Sequence, residues 1–106
     1  MPESGSALRD GLKTVTTPGT AVQLPTVEAS DSANTVLVQA LATNEGEVVV
    51  GSKTVVAAKG SHATPTRRGA ALAVGANIAL QINDSAQVWI DAEKAGDGVS
   101  YLVLVQ

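Results

Sequence analysis

Residues 35–42, Thr-Val-Leu-Val-Gln-Ala-Leu-Ala, carry the pattern that decides the fold. In an extended chain, Val36, Val38, Ala40 and Ala42 share one face, and Leu37, Gln39 and Leu41 share the other. Both faces are largely apolar, which is the pattern of a strand flanked on both sides within a sheet. Residues 99–105, Val-Ser-Tyr-Leu-Val-Leu-Val, repeat it: Val99, Tyr101, Val103 and Val105 on one face, Leu102 and Leu104 on the other.

Working outward from these two segments, turn residues and short alternating runs succeed one another. Thr43-Asn44-Glu45-Gly46 is a turn, so residues 47–50 are expected as the hairpin partner of 35–42. Residues 53–58 read as another short strand. Residues 70–74 form one more, broken by Gly75. Residues 76–82 alternate cleanly, with Ile78, Leu80 and Ile82 opposed to Asn77, Ala79 and Gln81. Asn83-Asp84-Ser85 turns the chain into residues 87–91, with Val88 and Ile90 inward and Gln87, Trp89 and Asp91 outward. The Asp-Gly pair in residues 92–98 signals a hairpin loop. Toward the N-terminus, residues 14–17 and 20–24 are extended pieces separated by the Pro18-Gly19 turn, Pro25 ends the second, and residues 27–34 are a polar loop. The Ala-rich residues 68–79 are interrupted by Gly69 and Gly75, which argues against a helix. The sum is about seven to nine short strands, the signature of an all-β fold: a small jelly-roll-like β-sandwich or a barrel. Residues 14–106 are the expected domain, and residues 1–13 a flexible N-terminal arm, with room for a short helical or strand-like stretch at residues 7–12.

Composition narrows the function classes. The chain has 106 residues, one domain's worth, and no cysteine, so disulfides and thiolate metal sites are excluded. It holds 15 valines and 17 alanines but no phenylalanine, one tryptophan and one tyrosine. A core of such small side chains buries little area per residue, which favours association with neighbours. A net charge of −3 makes nucleic acid a poor partner. No apolar run approaches the ~20 residues of a membrane helix. The first ten residues lack the apolar core of a signal peptide, so use without a cleaved leader is expected.

No constellation points to catalysis, a cofactor or a metal. His62 is the sole histidine and lies in the polar loop 59–69, without the partners a nucleophile or zinc site needs. Asp31, Asp84, Asp91, Asp97, Glu28, Glu45, Glu47 and Glu93 lie in or beside turns and read as solvated; their spacing selects no acid–base pair. Gly46, Gly51, Gly69, Gly75, Gly96 and Gly98 fit turns and match no phosphate-binding fingerprint. Arg67-Arg68 is a small basic spot, either solvated or paired with an acidic neighbouring subunit. Trp89 either covers a sheet face, anchors a subunit interface or stacks on a sugar.

Several segments together resemble the small β-rich virion proteins of tailed bacteriophages, of the capsid decoration, cement or head-fibre kind. They are Val36-Leu37-Val38-Gln39-Ala40, Asn44-x-Gly46 with Val50-Gly51, Leu72-x-x-Gly75, and Val88-Trp89-Ile90-Asp91-Ala92 leading to Gly96-Asp97-Gly98-Val99. The likeness runs from Thr20 to Leu104, with the loop 59–69 longer than the pattern requires. It implies a β-rich, non-enzymatic virion protein made in the host cytoplasm and located on the capsid surface. The implied partners are the major capsid protein or another virion protein, together with further copies of itself, a trimer being favoured. Leu8, Leu12, Arg67, Arg68, Trp89, Tyr101, Leu102 and Leu104 are the expected interface residues. Bound across neighbouring subunits, such a module stabilises the assembled shell by mass action. The alternative is a receptor- or carbohydrate-binding module of a tail fibre or spike.

Overall fold

The computed structural model describes residues 7–26 and 34–105. In chain order its strands are β1 (Ala7–Thr14), β2 (Val22–Gln23), β3 (Asn34–Ala40), β4 (Val48–Gly51), β5 (Ala70–Leu72), β6 (Asn77–Ile82), β7 (Trp89–Ala92) and β8 (Gly98–Val105). A 3-10 turn, Ser85–Gln87, is capped by the Asp84 side chain, which accepts from the Ala86 N–H. The strands form two four-stranded antiparallel sheets, ordered β1-β8-β3-β6 and β2-β7-β4-β5. The fold is the expected all-β sandwich. First pairs with last and so on inward: β1 with β8, β2 with β7, β3 with β6, β4 with β5. A ribbon folded once at its middle and then rolled gives this jelly-roll order, with β3·β8 and β4·β7 as the contacts the roll adds.

Between the sheets lies an aliphatic core. Val36, Val38 and Ala40 of β3 face the same side as Val99, Tyr101 and Val103 of β8, paired in register. From the other sheet come Val48, Val50, Leu72, Ile90 and Ala92. Each fully buried valine or leucine contributes about 1.5–3 kcal/mol. Tyr101 fits because its register partner on β1 is Gly11: a Cβ there would run into the phenol. Because β5 is only three residues long, the inward Ile78, Leu80 and Ile82 of β6 stay half-buried beside a cleft of about 310 Å³.

Several expectations are corrected. From Ala7 onward the expected arm is β1, paired with β8 along all eight residues; residues 1–6 lie outside the described residues. Its inward positions, Arg9, Gly11 and Lys13, carry no apolar alternation because this edge is finished by glycine and by long side chains that reach past the rim. Residues 35–42 and 47–50 are not a hairpin: the chain crosses from one sheet to the other, and β3 takes β6 and β8 as neighbours. Residues 92–98, expected as a hairpin loop, likewise cross between the sheets, joining β7 to β8. The strand expected at 53–58 is reduced to one bridge, Val56 with Arg68. The polar loop 27–34 lies outside the described residues up to residue 33.

Candidate functional site

The sandwich has two outer faces, and the chain treats them differently. The outer face of the β2-β7-β4-β5 sheet is covered by the chain itself. Residues 52–69, the tip of the ribbon, fold back as a flap whose Val55 and Ala57 pack on Val49, with Ala21 and Trp89 completing a second small apolar cluster. Asp91, expected to point outward into solvent, is 1% exposed here. It accepts from the backbone N–H groups of Gly19 (3.0 Å), Ala57 (2.9 Å) and Ala92 (2.9 Å), and so staples both the flap and the β1–β2 turn to β7. Asp97 is also buried rather than solvated, accepting from the Glu45 and Gly46 N–H groups.

A charged clamp closes the flap. The Arg67 guanidinium donates through Nη1 to Glu47 (2.8 Å), through Nη2 to Glu93 (2.7 Å) and through Nε to the Ala57 carbonyl (2.9 Å). Glu93 also accepts from the Glu47 N–H (2.9 Å). That backbone bond holds the Glu93 carboxyl below its usual 4.5; burial opposes the shift, and the charges of Arg67 and Lys59 reinforce it. A carboxyl depressed on folding stabilises the fold above its unfolded value, and the contribution is lost as pH falls through the folded value. Acidification below about 4.5 is therefore expected to loosen the flap first. Trp89, the sole tryptophan, reports this directly: its emission should move to the red before global unfolding, and Glu93→Gln should shift that step. A single cooperative acid transition, identical by Trp89 emission and by far-ultraviolet dichroism, would refute a separate flap step.

The outer face of the β1-β8-β3-β6 sheet has no such cover among the described residues. Registers place its side chains in three rows across the strands: Leu8, Leu104, Thr35 and Gln81; Asp10, Leu102, Leu37 and Ala79; Leu12, Ser100, Gln39 and Asn77. Leu8 and Leu12 are 61% and 62% exposed, and Leu102 and Leu104 are each 37% exposed. These leucines form one contiguous apolar patch bared to solvent, a kind of surface that occurs at interaction sites and ligand-binding grooves.

The eight expected interface residues therefore divide. Leu8, Leu12, Leu102 and Leu104 come together on this one face. Tyr101 shares β8 with Leu102 but points into the core, and its hydroxyl is pushed above its usual 10.0 by burial and by the nearby Asp10 charge. Arg67 is consumed by the clamp, Trp89 is half-buried beneath the flap, and Arg68 sits exposed on the flap margin. Sequence reading missed Leu37 and Asp10 as members of the patch. Leu37 was legible as the second apolar face of residues 35–42; Asp10 required knowing that β1 is a strand.

Among the described residues no group of three or more histidine, aspartate and glutamate side chains is gathered to hold a metal ion, and no helix is long and apolar enough to cross a membrane. No known family profile, curated protein or solved structure matches this chain.

Proposed function

We propose that this protein is a structural module of a tailed-phage virion, of the capsid decoration or cement kind, which binds the head shell through the leucine face of the β1-β8-β3-β6 sheet. The observation that carries the reading is the asymmetry of the two outer faces: one is sealed by the chain's own flap, the other presents leucines to solvent. The resemblance of residues 20–104 to virion proteins supports it. The jelly-roll order is compatible with it but does not select it, since this architecture serves viral capsid and lectin domains alike. The sugar-binding reading loses its main support because Trp89 is committed to the flap cluster.

Particles assembled with and without the protein provide the test. Electron micrographs should show surface density on the head that disappears in its absence, and heads lacking it should rupture at lower temperature. Leu12→Glu, at a position exposed enough to leave stability within about 0.5 kcal/mol, should fold normally yet bind purified shells about tenfold less tightly or worse. Unchanged heads, density lost from the tail instead, or full binding by Leu12→Glu would each overturn the proposal.

A further inference from the structure

The leucine face is not uniformly apolar. Asp10 stands between Leu8 and Leu12 on β1, directly across from Leu102 of β8. It is the only charged side chain in the three rows of that face, and it makes no ion pair or hydrogen bond among the described residues. Beside it the sheet surface dips into a shallow concavity of about 510 Å³, walled by Leu12, Leu37 and Leu102, with Gln39 and Ser100 among its other lining residues. The size falls within the range of binding depressions, about 300–1,000 Å³.

Burying this face against a purely apolar surface strips water from the Asp10 carboxylate with nothing to replace it, and an unpaired buried charge is heavily penalised. A second copy docking through the same face in a two-fold contact brings a second Asp10 and no compensating cation from the three rows. A long aliphatic side chain with a cationic tip meets both requirements, because lysine and arginine lay their stems on apolar surface while the head stays at a charge. The chain's net charge of −3 draws a basic surface in the same direction. We infer that the concavity is a cradle for a lysine or arginine side chain of a protein partner, with the stem on Leu12, Leu37 and Leu102 and the cation on Asp10. The inference rests on the reading of this face as the partner-binding surface, and it specifies the chemistry of the partner.

The test uses n-octylammonium as the probe and n-octanoate as its control, both below micelle-forming concentrations, titrated into the isotope-labelled full chain. Amide resonances of Asp10, Leu12, Gln39, Ser100 and Leu102 are expected to shift saturably with the cation. Asp10→Asn should weaken that binding about threefold to fivefold, the effect of a part-exposed ion pair, and octanoate should bind more weakly than the cation. No saturable shift at these amides, equal binding of octanoate, or unchanged binding in Asp10→Asn would overturn the cradle. Sedimentation of the two proteins adds a separate check: self-association that strengthens in Asp10→Asn assigns the face to a second copy and also overturns it. The outcomes separate cleanly from the shell test. Shells that fail to bind while the cradle takes the cation sink the functional reading alone, and shells that bind over a silent cradle sink the cation alone.

Discussion

Gly98→Ala should cost the fold about 4–5 kcal/mol, among the largest losses a single substitution causes. Gly98 opens β8 where three stretches of chain converge: it is the register partner of Thr14 at the end of β1, its carbonyl accepts from the Leu41 N–H (3.1 Å), and Asn44 both donates to that carbonyl and accepts from the Gly98 N–H, each at 2.9 Å. A Cβ at this position would run into the Lys13 carbonyl oxygen and lie 2.7 Å from the Thr14 Cα. Overpacking against movable side chains costs about 1–3 kcal/mol. Here the obstacle is backbone held on both sides by the ladder, so the loss should exceed that range and reach about 4–5 kcal/mol, about a third or more of the margin of a domain stable by about 5–15 kcal/mol. The measurement is denaturant unfolding followed by far-ultraviolet dichroism. Gly75→Ala is the control: no atom lies within 4 Å of an added Cβ there, and only its φ of +79° resists substitution, a strain of about 1–2 kcal/mol. Equal stability of the two variants would contradict the packing seen at the corner.

Asp91→Ala should lose about 3–5 kcal/mol, because one carboxylate serves the Gly19, Ala57 and Ala92 N–H groups. Each donor left without an acceptor in a buried site costs about 1–3 kcal/mol, and water entering around the loosened flap offsets part of the sum. Asp91→Asn keeps the shape but turns one acceptor into a donor facing an N–H, so it should recover little. Unfolding monitored by Trp89 emission, with limited proteolysis of residues 58–66, distinguishes flap release from a general weakening: the variant should be cut in the flap while the sandwich still stands. A loss below about 1 kcal/mol with an intact, protease-resistant flap would show that Asp91 is not the staple.

The corner and the staple matter to the proposed function because they hold one outer face shut and leave the other open. With Asp91 and Arg67 binding the flap to β7 and β4, the chain has no further segment among the described residues to lay over Leu8, Leu12, Leu102 and Leu104. Those leucines then stay open to solvent, which is the surface the proposed function assigns to a partner.

The alternation in residues 35–42, 76–82 and 99–105 was enough to establish three strands and to sort the side chains of each into two faces, since a pleated chain sends every second side chain to the same face; in 35–42 and 99–105 both faces are apolar, and which one points inward is decided by the structure. Valine-rich composition and the spacing of turn residues were enough to establish an all-β fold, a sandwich or a barrel; the two separate sheets are seen only in the structure. Neither could say which strands pair. A strand's apolar face is satisfied equally by any neighbour, so residues 35–42 carry no mark distinguishing residues 47–50 from β6 and β8, and the adjacent segment was the natural but incorrect choice. The same limit hid β1, whose inward face needs only a glycine and two long rim side chains, and it hid Asp91, whose burial depends on backbone donors brought from residues 19 and 57. Sequence by itself therefore determined what kind of layer this chain builds and which leucines and valines line it. Only the tertiary structure decided that four of the named leucines share one open face with Asp10 among them, because that neighbourhood arises from the register between strands distant in sequence and is written in no local period.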